Sequence, residues 1–111
     1  QISTDHTVIH DLMEGHRITA DEAQSHPQKH VLTRAVGVDK DMPVDSGTVT
    51  VTKGDCILLC SDGLTGCLDE REIATYLKHA AGKERQTVKS LFARIYDEGA
   101  PDNATVIIKT L

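Results

Sequence analysis

The stretch Cys56-Ile57-Leu58-Leu59-Cys60-Ser61-Asp62-Gly63-Leu64 decides how this 111-residue chain is read. Five uncharged, mostly apolar residues run into a polar turn headed by an aspartate. A run this short and apolar predicts a strand buried on both faces. Asp62 stands where that strand leaves the core, beside a glycine that lets the backbone turn or approach a ligand. Carboxylates at strand ends hold metals or accept phosphoryl groups in many folds. Ser-Asp-Gly is also good turn chemistry, and taken alone the stretch favours the turn.

Working outward, Val49 and Val51 alternate with Thr48, Thr50 and Thr52, which predicts a half-buried strand. Lys53-Gly54 supplies a tight turn that pairs it antiparallel with residues 56–60. Downstream, Asp69 and Glu72 have capping-box spacing. Ile73, Tyr76, Leu77, Ala80 and Ala81 then form one helical stripe, stopped by Gly82. Val88, Leu91, Phe92, Ile95 and Tyr96 form a second, stopped by Gly99. Joined by a short charged link, these helices predict an antiparallel pair lying on the sheet, with Phe92 and the tyrosines as core. Residues 99–103 turn the chain, and residues 104–111 (ATVIIKTL) read as a last β-branched strand.

Towards the N-terminus the pattern is polar. Ser3, Thr4 and Asp5 offer helix caps, Val8, Ile9, Leu12 and Met13 a stripe, and Gly15 a stop. Thr19 and Glu22 open a second short helix, which His26-Pro27 ends. Residues 5–26 therefore predict two small, mobile helices resting on a core rather than forming one. Residues 27–37 carry only a weak apolar pattern, and residues 38–46 read as an acidic loop.

The order of helices, two strands, two helices and one strand predicts an α+β fold with helices layered on an antiparallel sheet. Two or three strands are too few for such a sheet, so further strands are expected from a missing part of the chain. The start at Gln1 fits a fragment or processed product, and no leader can be inferred or excluded from it.

A formal charge of −5 with no basic cluster argues against a nucleic-acid partner. No apolar run reaches membrane-spanning length. Cys56 and Cys60 fall on one strand face and Cys67 follows the turn. Without CxxC or paired-His spacing, buried free thiols in a reducing compartment are favoured over a disulfide or zinc site.

Asp62 ends one strand, and Asp102 immediately precedes another. In an antiparallel pair both fall at the same edge of the sheet. Two carboxylates held there suit one half of a Mg²⁺ or Mn²⁺ site, with Asn103 able to hydrogen-bond the loop that orients Asp102. Asp-Gly and Asp-Asn are also ordinary turn dipeptides, and spacing alone leaves that reading open.

Residues 55–64 (DCILLCSDGL) after Gly54, the acid-capped helix that follows, and residues 102–108 (DNATVII) resemble the C-terminal half of the PP2C (PPM) family of metal-dependent protein serine/threonine phosphatases. So do Thr4-Asp5-His6-Thr7, Gly15, Ile18-Thr19, Glu22-Ala23, His26-Pro27 and residues 32–37 (LTRAVG), which are similar to bacterial members. The resemblance covers nearly the whole chain. Lys29 and His30 depart from it, standing where bacterial members usually show Arg and Asn.

The resemblance implies a β-sandwich of two antiparallel sheets flanked by helix pairs, of which residues 1–111 are the C-terminal portion. A flap-like helical segment spans about 5–30, and a core of sheet and helix pair spans 44–111. It implies a two-metal Mn²⁺ or Mg²⁺ site. Asp62 and Asp102 are ligands of one ion, Gly63 and Asn103 support them, and no catalytic residue beyond the metal ligands lies in this stretch. The implied reaction is hydrolysis of phosphoserine or phosphothreonine in a phosphoprotein by a metal-activated water, without a phosphoenzyme, in cytoplasmic bacterial signalling. The bridging aspartate, the phosphate-binding arginine and the proposed acid histidine of that family belong to its N-terminal half. The fragment alone is therefore expected to be inactive and to need that half as partner.

The alternative is a non-catalytic phosphatase-like module that regulates or binds partners; residues preceding Gln1 would separate the two. A third reading, Asp62 as a receiver-type phosphate acceptor, requires a parallel sheet that this order does not provide. His6 and His10 are spaced to chelate, but no third ligand follows at a telling spacing. Ser61 and Cys60 lack a placed base, and Arg34 reads as a structural ion pair rather than a phosphate ligand.

Overall fold

Seven elements follow one another in a computed structural model that describes residues 1–111: α1 (Val8–Glu14), α2 (Ala20–Ser25), β1 (Cys56–Cys60), α3 (Asp62–Thr65), α4 (Glu70–Leu77), α5 (Glu84–Asp97) and β2 (Val106–Thr110). They fall into two units, Gln1–Gly47 and Thr48–Leu111.

In the first unit, α1 is capped by Thr7, whose hydroxyl accepts the His10 N–H at 3.1 Å, and not by Ser3, Thr4 or Asp5. Gly15 stays at φ −73°. The left-handed residue that ends the helix is His16 (φ 52°), with Arg17 N–H on the Leu12 carbonyl and His16 N–H on the Met13 carbonyl. The capping box of α2 is complete: Thr19 Oγ1 accepts from Glu22 N–H, and the Glu22 carboxylate accepts from Thr19 N–H at 2.7 Å. His26, extended before Pro27, closes that helix.

The rest of the unit is tied back to residues 6–8. Val8 N–H donates to Val31 O at 3.0 Å, and Thr33 N–H to His6 O at 2.8 Å. Asp45 joins three segments, bonding Arg34 at 2.9 Å and His6 Nε2 at 2.7 Å. Arg34 also donates to the Pro43 carbonyl. The predicted role of Arg34 as a structural ion pair is what the geometry shows.

The second unit holds the sheet. β1 and β2 pair antiparallel from Cys56↔Thr110 to Cys60↔Val106. Leu58, Val106 and Ile108 pack on a core of Leu64, Leu68, Ile73, Leu91 and Ile95. On the opposite face the register partners Leu59 and Ile107 are 62% and 57% exposed. The strand expected to be buried on both faces is therefore covered on one. Helices cover only one side of these two strands, and an apolar run does not reveal how many layers lie on it.

Two more expectations change. The turn at 52–55 forms, with Asp55 N–H on the Thr52 carbonyl at 3.1 Å, but residues 48–52 form no strand. The Asp55 carboxylate takes the Thr52 N–H at 2.7 Å, and Val49 and Val51 remain mostly exposed. No burial offsets the entropy of ordering a ladder there. The first stripe helix ends at Leu77, so Ala80 is fully buried from a turn rather than from the helix.

Asp69 caps α4 as expected, but Glu72 does not complete the box. Its carboxylate is taken by Arg94 on α5 at 2.6 Å, and Arg94 also pairs with Glu98. The helix pair packs together, and α5 lies on β2. Tyr96 falls out of the core stripe at 72% exposure, while Thr87 is buried in α5 instead.

The three cysteines are free, as expected, but less buried than expected: Cys56 and Cys67 are half-buried and Cys60 is exposed. Burial pushes both strand thiols above the ordinary range, with Glu84 adding to the effect at Cys56. No helix is long and apolar enough to cross a membrane.

Leu64 is fully buried in the first turn after the sheet. Leu64→Ala is expected to cost about 2–5 kcal/mol in urea unfolding, and a loss within ±0.5 kcal/mol would contradict its central place in the core. In the first unit, hydrogen bonds from Arg34 and then His6 hold the Asp45 carboxyl below its ordinary value. A carboxyl depressed on folding stabilises above its unfolded pKa and loses that contribution as pH falls through the folded value. The protection factor of the Thr33 amide against hydrogen exchange, measured relative to the intrinsic rate at each pH, should therefore fall below about pH 4, where free aspartate protonates. In Asp45→Asn that protection factor should already be low at neutral pH.

Candidate functional site

The end of the sheet where β1 runs into α3 is built around a missing side chain. A Cβ placed on Gly63 would lie 2.2 Å from the carbonyl oxygen of Asn103, 2.7 Å from its carbonyl carbon and 3.0 Å from Cα of Ala104. Two backbones meet there at a distance that only glycine permits. Gly63 is buried, and Leu64 beside it anchors the turn in the core.

Ser61 stitches the same contact from the strand side. Its N–H donates to the Thr105 carbonyl at 3.0 Å. Its hydroxyl accepts the Thr105 N–H at 3.0 Å and donates to the Asn103 carbonyl at 3.4 Å. The β1–β2 ladder is thus carried one residue beyond Cys60↔Val106, to Ser61 and Thr105. Ser61 is spent on this junction, not poised as a nucleophile. Sequence reading treated it as part of a plain turn. The overlooked signal is a serine directly before a short helical turn, which is an N-cap position.

Asp62 occupies the first position of α3, one residue from this junction, with its carboxylate exposed. Asp102 lies one residue before Asn103 on the facing segment and is also exposed. Its Oδ1 accepts the Asn103 backbone N–H at 2.7 Å, leaving Oδ2 unengaged by that bond. Asn103 orients the loop through its main chain, with its N–H on Asp102 and its carbonyl receiving the Ser61 hydroxyl. The four residues singled out in the sequence are therefore gathered at one end of the sheet.

The approach to Asp102 is sharply bent. α5 closes with Gly99 N–H on the Tyr96 carbonyl and Ala100 N–H on the Ile95 carbonyl. Gly99 (φ 91°) and Ala100 (φ 44°) are both left-handed, a costly conformation for alanine. Pro101 then leads into Asp102. The bend walls an open cleft of about 560 Å³, lined in part by Phe92, Tyr96, Pro101 and Asp102.

Elsewhere the candidate donors do not converge. His6 bonds Asp45, and His10 faces Glu14 at 3.9 Å along α1. No group of three or more His, Cys, Asp or Glu side chains is arranged to hold a metal. The donor set at the sheet end is two carboxylates without thiolate or imidazole. That chemistry fits a hard divalent cation that takes one or two protein carboxylates and completes its shell with water and other oxygen donors. These residues fit as part of such a site and do not constitute a whole one.

Comparison with known proteins is consistent along the chain. The family model of stage II sporulation protein E (SpoIIE) matches residues 13–108. The serine/threonine phosphatase stp of Listeria welshimeri is 37% identical over 109 residues, covering 97% of this chain and 42% of that protein. Protein phosphatase PhpP of Streptococcus pneumoniae is 34% identical, covering 100% of this chain and 45% of its own length. The crystal structure of serine/threonine phosphatase Stp1 from Staphylococcus aureus superposes with a TM-score of 0.89 at 32% identity, over 100% of this chain and 43% of that one. The chain spans less than half the length of each of these relatives.

Gly63→Ala drives a methyl group into the Asn103 carbonyl. The expected result is a loss of about 1–3 kcal/mol in chemical unfolding, with amide shifts concentrated at residues 61–63 and 102–105. Unchanged stability and an unchanged spectrum there would show that the two segments do not abut.

Proposed function

The chain belongs to the SpoIIE/PP2C-type phosphatase domain family, and from that premise we propose that it is the C-terminal portion of a metal-dependent protein serine/threonine phosphatase. The observation that supports the site is the abutment of Gly63 on the Asn103 backbone, which brings the segments bearing Asp62 and Asp102 to one sheet end. In this reading both carboxylates are oxygen ligands to Mn²⁺ or Mg²⁺. Gly63 supports them by allowing the approach, and Asn103 by holding Asp102 through its backbone N–H.

When bound, such a cation pair supplies Lewis acidity that activates water and offsets charge on the phosphoryl oxygens. The residues of this chain do the positioning. Leu64 anchors α3 so that Asp62 is held rigidly, and Ser61 locks the facing strand so that Asp102 cannot drift from it. Rigid placement matters because preorganised groups need no rearrangement as charge develops on the phosphoryl group.

The substrate is a phosphoserine or phosphothreonine protein, and the setting is bacterial cytoplasmic signalling. The remaining ligands come from an N-terminal half of the domain, on which the exposed face of Leu59 and Ile107 also depends for cover. In the same reading, the segment containing α1 and α2 is the flap-like segment of this family.

In the full-length phosphatase, Asp62→Asn and Asp102→Asn are each expected to lower metal-dependent hydrolysis of a phosphothreonine peptide by about a hundredfold or more, the scale on which loss of one group stabilising transition-state charge is felt. Retention of full activity by either variant would remove that residue from the site. Calorimetry with Mn²⁺ should show weaker binding to residues 1–111 than to the whole protein; tight binding of two ions to this chain alone would contradict a shared site.

A further inference from the structure

Two residues other than glycine hold a left-handed backbone, His16 (φ 52°) and Ala100 (φ 44°). His16 is explained by its place. It is the left-handed residue that ends α1, with its N–H on the Met13 carbonyl and the next N–H on the Leu12 carbonyl. At the end of α5 that part is already taken by Gly99 (φ 91°). The Gly99 N–H reaches the Tyr96 carbonyl at 3.0 Å, and the Ala100 N–H reaches the Ile95 carbonyl at 2.9 Å. Such a helix end requires one left-handed residue. Ala100 is a second, and its Cβ makes that conformation costly. Helix termination does not account for it.

The connection that follows does. Ala100 packs on the core cluster that contains Ile95, so it is a fixed point rather than a free loop residue. Pro101 has its φ fixed by its ring, so few torsions separate Ala100 from Asp102. The Asp102 carboxylate accepts the Asn103 N–H at 2.7 Å, and the Asn103 carbonyl lies against Gly63 and takes the Ser61 hydroxyl. Only residues 100–102 stand between Gly99 and that junction. A costly φ in so short a connection persists where the surrounding structure over-determines it, and such residues cluster at functional sites.

We infer that Ala100 is a positioning residue for Asp102: its left-handed backbone and its contact with the core together aim residues 101–103 at Gly63 and hold the Asp102 carboxylate at the sheet end. The inference rests on the phosphatase reading above and deepens its metal site. Ala100 touches neither metal nor substrate and acts through the chain direction it imposes. Glycine at this position takes the same φ without cost, but it also takes many others and leaves the core contact empty. Stability and metal binding should therefore separate. Relief of the left-handed cost opposes the lost contact and the added freedom of the unfolded chain, so global stability stays near wild type. Metal affinity has no such compensation.

The test uses the full-length phosphatase with Mn²⁺ as the probe. In calorimetry, Ala100→Gly is expected to weaken Mn²⁺ binding about tenfold, the scale on which loss of a residue that orients a metal ligand is felt, with an unchanged urea midpoint. In the metal-free protein, the Thr105 amide is held by the Ser61 hydroxyl across the junction, and its hydrogen-exchange protection factor should fall by a similar factor. Ala100→Ser keeps a Cβ and should match wild type in every measurement. Wild-type affinity and protection in Ala100→Gly overturn the inference, as does an equal defect in Ala100→Ser. A fall in the urea midpoint that accompanies both losses makes Ala100 a residue of general stability and overturns it too. If the wild-type protein binds no Mn²⁺, the phosphatase reading fails. The Thr105 protection factor then decides for Ala100 alone: a fall in Ala100→Gly supports its positioning of residues 101–103, and an unchanged value refutes it.

Discussion

The second unit depends on one close approach, the backbone of Gly63 against the carbonyl of Asn103. Remove the space that glycine leaves and β1 and β2 still have a register, but their ends no longer meet. With it, the ladder extends to Ser61 and Thr105, α3 starts immediately, and Leu64 drops into the core. The same contact therefore carries both stability and the geometry of the candidate site. Asp62 and Asp102 are exposed carboxylates on short connections, which would ordinarily wander. Here each is within one residue of a buried or hydrogen-bonded anchor.

The helical layer serves the same end from behind. Leu91 and Ile95 on α5 and Ile73 on α4 close over Leu58, Val106 and Ile108. Arg94 joins the helices through Glu72 and steadies the last turn of α5 through Glu98. Surface ion pairs of this exposure add little to global stability. Their effect is local, on the turn that leads through Ala100 and Pro101 to Asp102. The opposite face of the sheet shows Leu59 and Ile107 side by side and exposed. The chain spans less than half of the relatives it matches.

Much of the fold was legible because its signals are local. The capping box at Thr19 and Glu22, the Asp69 cap, the stripe through Leu91 and Ile95 and the β-branched run at 106–110 each depend on residues a few positions apart. The failures are those in which a distant partner decided the outcome. Glu72 had the spacing for a capping box, but a charged hydrogen bond to Arg94 is stronger than one to a backbone amide. Val49 and Val51 had strand alternation but nothing to pair with. Tyr96 had core spacing, but it stays exposed on α5.

By itself, then, the sequence determined most of the segments that become helices and strands, most of the apolar residues that form the core, and which two carboxylates stand beside strand ends. Periodicity, capping and turn chemistry act over a few residues and can be read there. Only the tertiary structure decided that β1 pairs with β2 rather than with residues 48–52, that the sheet is covered on one face, and that Ser61 and Gly63 are the hinge pins of the sheet end. Those outcomes turn on interatomic distances between residues some forty positions apart, such as 3.0 Å from Ser61 to Thr105. No local pattern encodes such distances.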